Sequence, residues 1–204
     1  MEIIKARIKG IAPILLHNGH LVDPRNPFTK EINAAQKANK KDKSDAAFDA
    51  LSDCEWLGGL YTSRPISFTR EGNKVEVTSD AEICITGDML CRSIIKSAGR
   101  KEVAAFKAGV IVDGSFPINV GGKAITVKKA FKNVAFYFTV AAKVGTAKIM
   151  RTRPRFDDWS AEIEVAFIPE LVTKRDVQDA LVRSGSIVGI GDWRPRFGRF
   201  SVEF

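Results

Sequence analysis

The chain has 204 residues, of which 45% are hydrophobic and 27% charged, a composition typical of a globular protein with one large domain. Its 32 basic and 24 acidic residues leave a net charge of +8, which favours polyanionic partners such as nucleic acid. Its three cysteines, Cys54, Cys84 and Cys91, give neither a disulfide framework nor a zinc ribbon, and no signal peptide or membrane span is present, so we expect a cytoplasmic protein that does not enter a membrane.

Residues 2–9 alternate between apolar and basic side chains, which predicts a half-buried strand with a basic outer face. The composition then changes to small, charged and turn-forming residues, and we interpret 24–53 as an insertion. Two short helices are predicted within it, at 29–39 and at 45–53, the second capped by Ser44. The low density of large apolar side chains favours a solvated arm for this segment.

A longer amphipathic helix is predicted at 86–99, with Thr86 as its N-cap and Gly99 as a left-handed stop. The section 101–133 shows no regular pattern. Strands are predicted at 134–144 and 160–168, and we expect these two to form a hairpin.

The last predicted helix covers 173–184, where Thr173 and Asp176 form a capping box and Gly185 ends the helix. A final strand follows at 197–204. The element order is therefore β-α-β-β-α-β, which indicates an α+β protein of the ferredoxin-like (RRM-like) type. We interpret residues 1–204 as one domain that carries the helical insertion after its first strand.

The basic face of the first strand has two interpretations. In this topology the first and third strands are neighbours, so Glu162 and Glu164 could pair with Lys5 and Arg7 across the ladder. The same face could instead contact a ligand. The sequence does not decide between the two.

The segment "GIGDWRPRFGRF" lies between the last helix and the last strand, so it is predicted to be a loop anchored at both ends. Its glycines would let a phosphodiester approach the main-chain N–H groups, its arginines would bind phosphates, and its rings would stack on unpaired bases. Alternatively, the glycines turn the chain and the aromatic rings fill the core. The candidate nucleic-acid-binding residues here are Gly189, Gly191, Trp193, Arg194, Arg196, Phe197 and Arg199.

A second arginine-rich segment, "RTRPRFDDW", is also predicted to be a loop. Its arginines are spaced by two, so an extended chain would project all of them to one side. They would contact nucleic acid together with a tryptophan, or they would be neutralised by Asp157 and Asp158. The candidate residues are Arg151, Arg153, Arg155 and Trp159.

Only two histidines are present, His17 and His20, in "HNGH". They are chemically suited to acid–base cleavage of RNA, although histidines that follow a strand are more often ordinary turn residues. H-x-x-H without a third ligand is not a zinc pattern, and no nucleotide-binding loop is present. We therefore expect neither a metal nor a cofactor.

Three stretches resemble the RAMP superfamily of CRISPR-associated proteins, and within it the backbone subunits that polymerise along guide RNA. They are "IIKARIKGIAPILLHNG", "ICITGDMLCRSIIKSAGR" and "SIVGIGDWRPRFGRFSVEF". The resemblance implies RNA contact by the predicted helix 86–99, through Arg92 and Lys96. Where the family pattern has small residues and lysine, however, this chain has Asp88, Met89 and Cys91. Its two arginine-rich segments look more like proteins of bacteriophages and mobile elements.

The sequence thus predicts a non-enzymatic protein that binds single-stranded RNA or DNA. The resemblance implies a homo-oligomer along the strand or a subunit of a ribonucleoprotein. Two alternatives stay open: a RAMP-type endoribonuclease that uses His17 or His20, and a phage-encoded protein that mimics or blocks a CRISPR backbone subunit.

Overall fold

The structure, a computed structural model, describes residues 1–144 and 147–204, and it is a mixed α+β fold with antiparallel sheets. Across these residues the helices are α1 (Pro27–Asn39), α2 (Asp45–Gly59), α3 (Gly87–Ser97), α4 (Val103–Gly109), α5 (Val127–Ala130) and α6 (Lys174–Arg183). The strands are β1 (Glu2–Gly10), β2 (Ile14–Leu15), β3 (Phe68–Glu71), β4 (Lys74–Val77), β5 (Cys84–Thr86), β6 (Val110–Ile111), β7 (Ser115–Val120), β8 (Lys123–Ala124), β9 (Tyr137–Val144), β10 (Ala147–Phe156), β11 (Trp159–Phe167) and β12 (Phe200–Glu203). None of the helices described is long and apolar enough to cross a membrane.

The chain divides into two compact units. Unit 1 comprises Met1–Leu15, Cys84–Ile125 and Phe156–Phe204, and unit 2 comprises Leu16–Ile83 and Thr126–Arg155. The predicted insertion at 24–53 lies inside unit 2 and holds α1 with the first part of α2. Its bounds as an insertion stay a prediction.

Unit 1 is built on a sheet with the strand order β12-β1-β11-β7-β5, in which all neighbours are antiparallel. The predicted first strand is confirmed, and Ile4, Ala6 and Ile8 are buried because they alternate onto one face. On the other face Lys5 contacts Glu164 at 3.1 Å and Arg7 contacts Glu162 at 3.6 Å. Ion pairing across the ladder, one of the two interpretations of this face, is therefore present.

The predicted hairpin between 134–144 and 160–168 is wrong. β9 pairs with β10, from Tyr137 opposite Pro154 to Val144 opposite Ala147, because residues 147–156 form a strand of their own. The neighbour of β11 on the side away from β1 is β7, within the section that showed no regular pattern. Pro117 interrupts the sequence signature of β7, since proline is rare inside strands.

The predicted N-terminal caps are confirmed, whereas the glycine stops are not. Thr86 caps α3, and Thr173 with Asp176 forms the capping box of α6. However, α3 ends because Ala98 is extended (φ −64°, ψ 147°), and Gly99 does not adopt a positive φ. After α6 the chain continues through a π-helical turn, Ser184–Val188, before it turns at Gly189 (φ 73°).

In unit 2, α1 packs against α2. Two antiparallel strand pairs accompany the helices, β3 with β4 and β9 with β10. Ser44 caps α2 as predicted, its hydroxyl accepting from the N–H of Ala47 at 3.3 Å. The helix runs past residue 53 to Gly59, and in this extension Trp56 and Leu57 are fully buried. Unit 2 therefore has an apolar core, although the composition of 24–53 favoured a solvated arm.

Candidate nucleic-acid interface

The loop 189–199 of unit 1 is fixed by glycines that lie against other parts of the backbone. Gly189, Gly191 and Gly198 all adopt a positive φ, between 73° and 80°. A Cβ at Gly198 would lie 1.7 Å from the carbonyl oxygen of Ile190, and one at Gly191 would lie 2.4 Å from that of Leu15. No larger residue fits at either position without a backbone shift.

The amides of this loop donate within unit 1. Gly189 N donates to the Ser184 carbonyl at 2.7 Å, and Gly198 N donates to the Pro13 carbonyl at 2.7 Å. The expectation that the glycines would present N–H groups to a phosphodiester is therefore wrong for these two, because their donors are already used. Their role in this structure is to turn and brace the chain.

The arginines of the loop are its accessible charges. Arg194, Arg196 and Arg199 are all exposed, and none of them forms an ion pair with a residue that the structure describes. The guanidinium of Arg196 lies over the ring of Phe197, 5.7 Å from its centroid. A guanidinium that lies on a ring still presents its N–H donors at the edge, where phosphate oxygens bind.

The aromatic candidates differ in accessibility. Trp193 is half-buried, with φ 51° and its ring centroid 6.2 Å from that of Phe197. Phe197 is only 6% exposed and is part of the core. Trp159 is completely buried, and its Nε1 donates to the Ala12 carbonyl at 2.9 Å. Of these three rings, only Trp193 presents surface to a base.

The second arginine-rich segment is a strand, β10, and not the predicted loop. Arg151, Arg153 and Arg155 alternate with the buried Thr152 and Pro154 and so share one face, as their spacing predicted. The guanidinium of Arg155 lies 5.8 Å from the ring centroid of Phe138 on β9, a cation–π contact between paired strands. The face is half-buried at all three arginines.

A carboxylate from α2 neutralises one of these arginines. Glu55 is 6% exposed, and its Oε1 accepts from Nη1 of Arg151 while its Oε2 accepts from the amide of Thr152 at 2.8 Å. Neutralisation was one of the two interpretations of this segment, with Asp157 and Asp158 as its source; the carboxylate of Glu55 is a source that the sequence did not single out. Glu55 was missed because the helix was predicted to end at residue 53.

The helix residues that the family resemblance implied are exposed on α3. Arg92 forms an ion pair with Asp88, one turn away, at 3.0 Å. Lys96 lies one turn further on the same face. Asp88 thus offsets the charge of Arg92.

The two histidines have unequal surroundings. His20 donates from Nε2 to the Gly58 carbonyl at 2.9 Å, and its ring stacks on Phe28 with centroids 5.4 Å apart. Phe28 in turn stacks on Phe68 at 5.0 Å. His20 is therefore held by packing, whereas His17 is exposed.

Unit 2 contains a cleft of about 370 Å³ beside α1 and β10. Thr29, Ile32, Asn33 and Gln36 form one wall, because residues at these spacings share a face of a helix. The rest of the lining includes His17, Leu21, Val22, Glu55, Ala142, Arg151, Thr152 and Arg153. The cleft thus brings together three sequence candidates, His17, Arg151 and Arg153, with polar residues of α1 that the sequence did not single out.

A second cleft of unit 2, of about 360 Å³, contains a buried carboxylate. Tyr137 donates to Asp53 at 2.8 Å, and Lys132 lies 3.9 Å from the same carboxylate. Burial raises the pKa of Asp53 although both neighbours oppose this shift, and burial also raises the pKa of Tyr137.

Burial raises the pKa of Cys54 to about 12, so this thiol is not an activated nucleophile.

Within the described part of the chain, no three His, Cys, Asp or Glu residues are grouped so that they could hold a metal ion. Comparison with models of known protein families finds no match for this chain. Neither the curated proteins nor the solved structures yield a similar protein.

Proposed function

We propose that this protein binds single-stranded nucleic acid through the loop 189–199 and assembles along the strand. The observation that carries the proposal is the group of exposed arginines, Arg194, Arg196 and Arg199, on a loop whose backbone is braced by internal hydrogen bonds. A rigid loop loses little conformational entropy when its guanidinium groups bind phosphates. The half-buried Trp193 adds a ring for stacking on a base.

The arrangement of unit 1 supports a ferredoxin-like framework for this loop. Taken along the chain, β1, α3, β7, β11, α6 and β12 follow the order β-α-β-β-α-β, and their strands lie in the spatial order β12-β1-β11-β7. That is the order 4-1-3-2, in which the first and third strands are neighbours. We propose that this framework is RAMP-like, because the segments that resemble the superfamily include β1, α3 and the loop before β12.

An electrophoretic mobility shift series with matched single- and double-stranded RNA and DNA tests the proposal. We expect the single strands to bind more tightly than the duplexes, because Trp193 can stack only on unpaired bases. The double variant Arg194→Ala/Arg196→Ala should bind more weakly than Arg100→Ala/Arg175→Ala, which removes two exposed arginines of unit 1 outside the loop. Equal weakening in the two variants would mean that binding depends on net charge alone, and it would contradict a defined interface.

The assembly step has its own measurement. If copies coat a strand, the sedimentation coefficient of the complex should rise with strand length. One copy per strand at every length would contradict assembly while leaving strand binding intact.

The endoribonuclease alternative uses His17 or His20, and His17 is the more exposed of the two. His17 lines the same cleft as Arg151, and these are residue types used in metal-free RNA cleavage. Cleavage by the parent protein that disappears in His17→Ala, but persists in His20→Ala, would favour this alternative.

A further inference from the structure

We propose that the cleft beside α1 and β10 receives one unpaired base of a bound strand. This inference rests on the proposed strand binding and adds a site in unit 2 that recognises the base itself. The ligand class is a single nucleobase with its attached phosphate.

The size and walls of the cleft fit this ligand class. Its volume of about 370 Å³ lies within the range of about 300–1,000 Å³ that is common for small-ligand sites. Leu21, Val22 and Ile32 supply apolar surface for the faces of a base. The lining also contains polar side chains, among them Asn33, Gln36 and Arg151, so a ligand with an apolar face and a polar edge matches the arrangement.

Two carboxamides lie in position to contact the edge of a base. Asn33 and Gln36 are three residues apart on α1, and both line the cleft. A carboxamide presents a donor beside an acceptor, and base edges present the complementary pattern. Asn33 is exposed and Gln36 is half-exposed, so a ligand can reach both without disturbing the core.

Arg151, a residue of β10 that also lines the cleft, supplies a cation. Its Nη1 is paired with the buried Glu55, and this ion pair fixes the guanidinium at the cleft. A guanidinium has five N–H donors, so those of Nε and Nη2 can bind a phosphate oxygen while the pair with Glu55 persists.

The test compares strands that differ only in their bases. Labelled homopolymers of adenine, cytosine and uracil, and an abasic strand with the same number of phosphates, are titrated with the full chain at several salt concentrations. We expect the preferred homopolymer to bind about ten-fold more tightly than the abasic strand. In the double variant Asn33→Ala/Gln36→Ala, the preference for one base should disappear, so that the three homopolymers bind with equal affinity. The slope of log affinity against log salt should stay unchanged.

A matched control separates the cleft from general effects on helices. Gln178→Ala removes a half-exposed glutamine from α6 in unit 1, and it should leave the preference among homopolymers unchanged. Alanine favours helix, so both variants should fold, and their circular dichroism should confirm this. Retention of the full preference in Asn33→Ala/Gln36→Ala would overturn the inference.

The failure of the inference is distinguishable from the failure of the proposed function. Strand binding that does not discriminate among bases would overturn the base site alone. Absence of binding to every strand would overturn the proposed function. Titration with nucleoside monophosphates would then test whether the cleft binds a base with its phosphate. Saturable binding that is lost in Asn33→Ala/Gln36→Ala would support the site, and no binding would overturn it.

Discussion

The two arginine-rich segments have similar sequences but different structures. In β10 the arginines occupy alternate positions of a paired strand, half-buried, with Arg151 held by Glu55 and Arg155 by Phe138. In the loop 189–199 the arginines are exposed, and the glycines and Trp193 hold the backbone in conformations outside the strand region. The backbone around a cluster of arginines therefore decides how much of their charge is paired within the fold.

The largest expected effect concerns the bracing of the loop. Gly198→Ala should lower the free energy of unfolding by about 3 kcal/mol or more, because the new Cβ would clash with the Ile190 carbonyl at a positive φ. Gly114→Ala is the control, since Gly114 also has a positive φ (86°) but has no atom near the added Cβ. The control should cost only about 1–2 kcal/mol, measured by chemical denaturation. Equal losses would show that the loop is not braced as described.

Arg151→Ala tests whether an arginine of β10 stabilises the fold. It leaves the carboxylate of Glu55 buried with only the Thr152 amide as a described donor, so the free energy of unfolding should fall by about 2–3 kcal/mol. Arg194→Ala should change it by less than about 0.5 kcal/mol, because this side chain is exposed. If Arg194→Ala destabilised the protein as much as Arg151→Ala, the distinction between the two segments would be wrong.

The dependence of strand affinity on salt concentration tests whether the arginines of the loop 189–199 bind the ligand. Removing Arg194 and Arg196 should lower the slope of log affinity against log salt by about 0.7 for each lost contact to a single strand. Trp193→Ala should cost about 1–3 kcal/mol of affinity with little change in this slope, because stacking releases no counterions. The melting temperature of the arginine double variant should stay that of the parent protein. An unchanged slope with unchanged affinity would show that the loop is not part of the interface.

The smallest expected effect concerns the basic face of β1, a third cationic group. Lys5 and Arg7 pair with Glu164 and Glu162 at exposed positions, and such pairs contribute about 0–1 kcal/mol. Lys5→Gln should therefore change both stability and strand affinity only slightly. A loss of affinity as large as that of Arg194→Ala would mean that this face also contacts the ligand, the interpretation that the ion pairs do not favour.

The parts of the fold that were predicted correctly depend on local signals. The alternation of residues 2–9 gave β1, and the side chains of Ser44, Thr86 and Thr173 marked the starts of three helices. These signals act within one strand or one helical turn. They are therefore visible without knowledge of distant contacts.

The errors arose where distant contacts decide the conformation. Pro117 concealed β7, which is held by β11 and β5, and Gly185 was assigned as a helix stop although its place is set by close approach to Phe200. At the candidate site, the arginines of the loop were found from composition alone. Glu55 and the carboxamides of α1 were not, because no local motif links them to β10.

The register of the unit 1 sheet has a consequence for synthesis on the ribosome. β1 is made before its partner strands, because Ile4 lies opposite Val165 and Ile8 opposite Val202, which both come much later in the sequence. The pairs α1 with α2 and β3 with β4 in unit 2, by contrast, join neighbouring segments. The nascent chain therefore carries the apolar face of β1 without either partner strand until β11 and β12 have been made, and a chaperone that recognises extended apolar segments would find a site in β1.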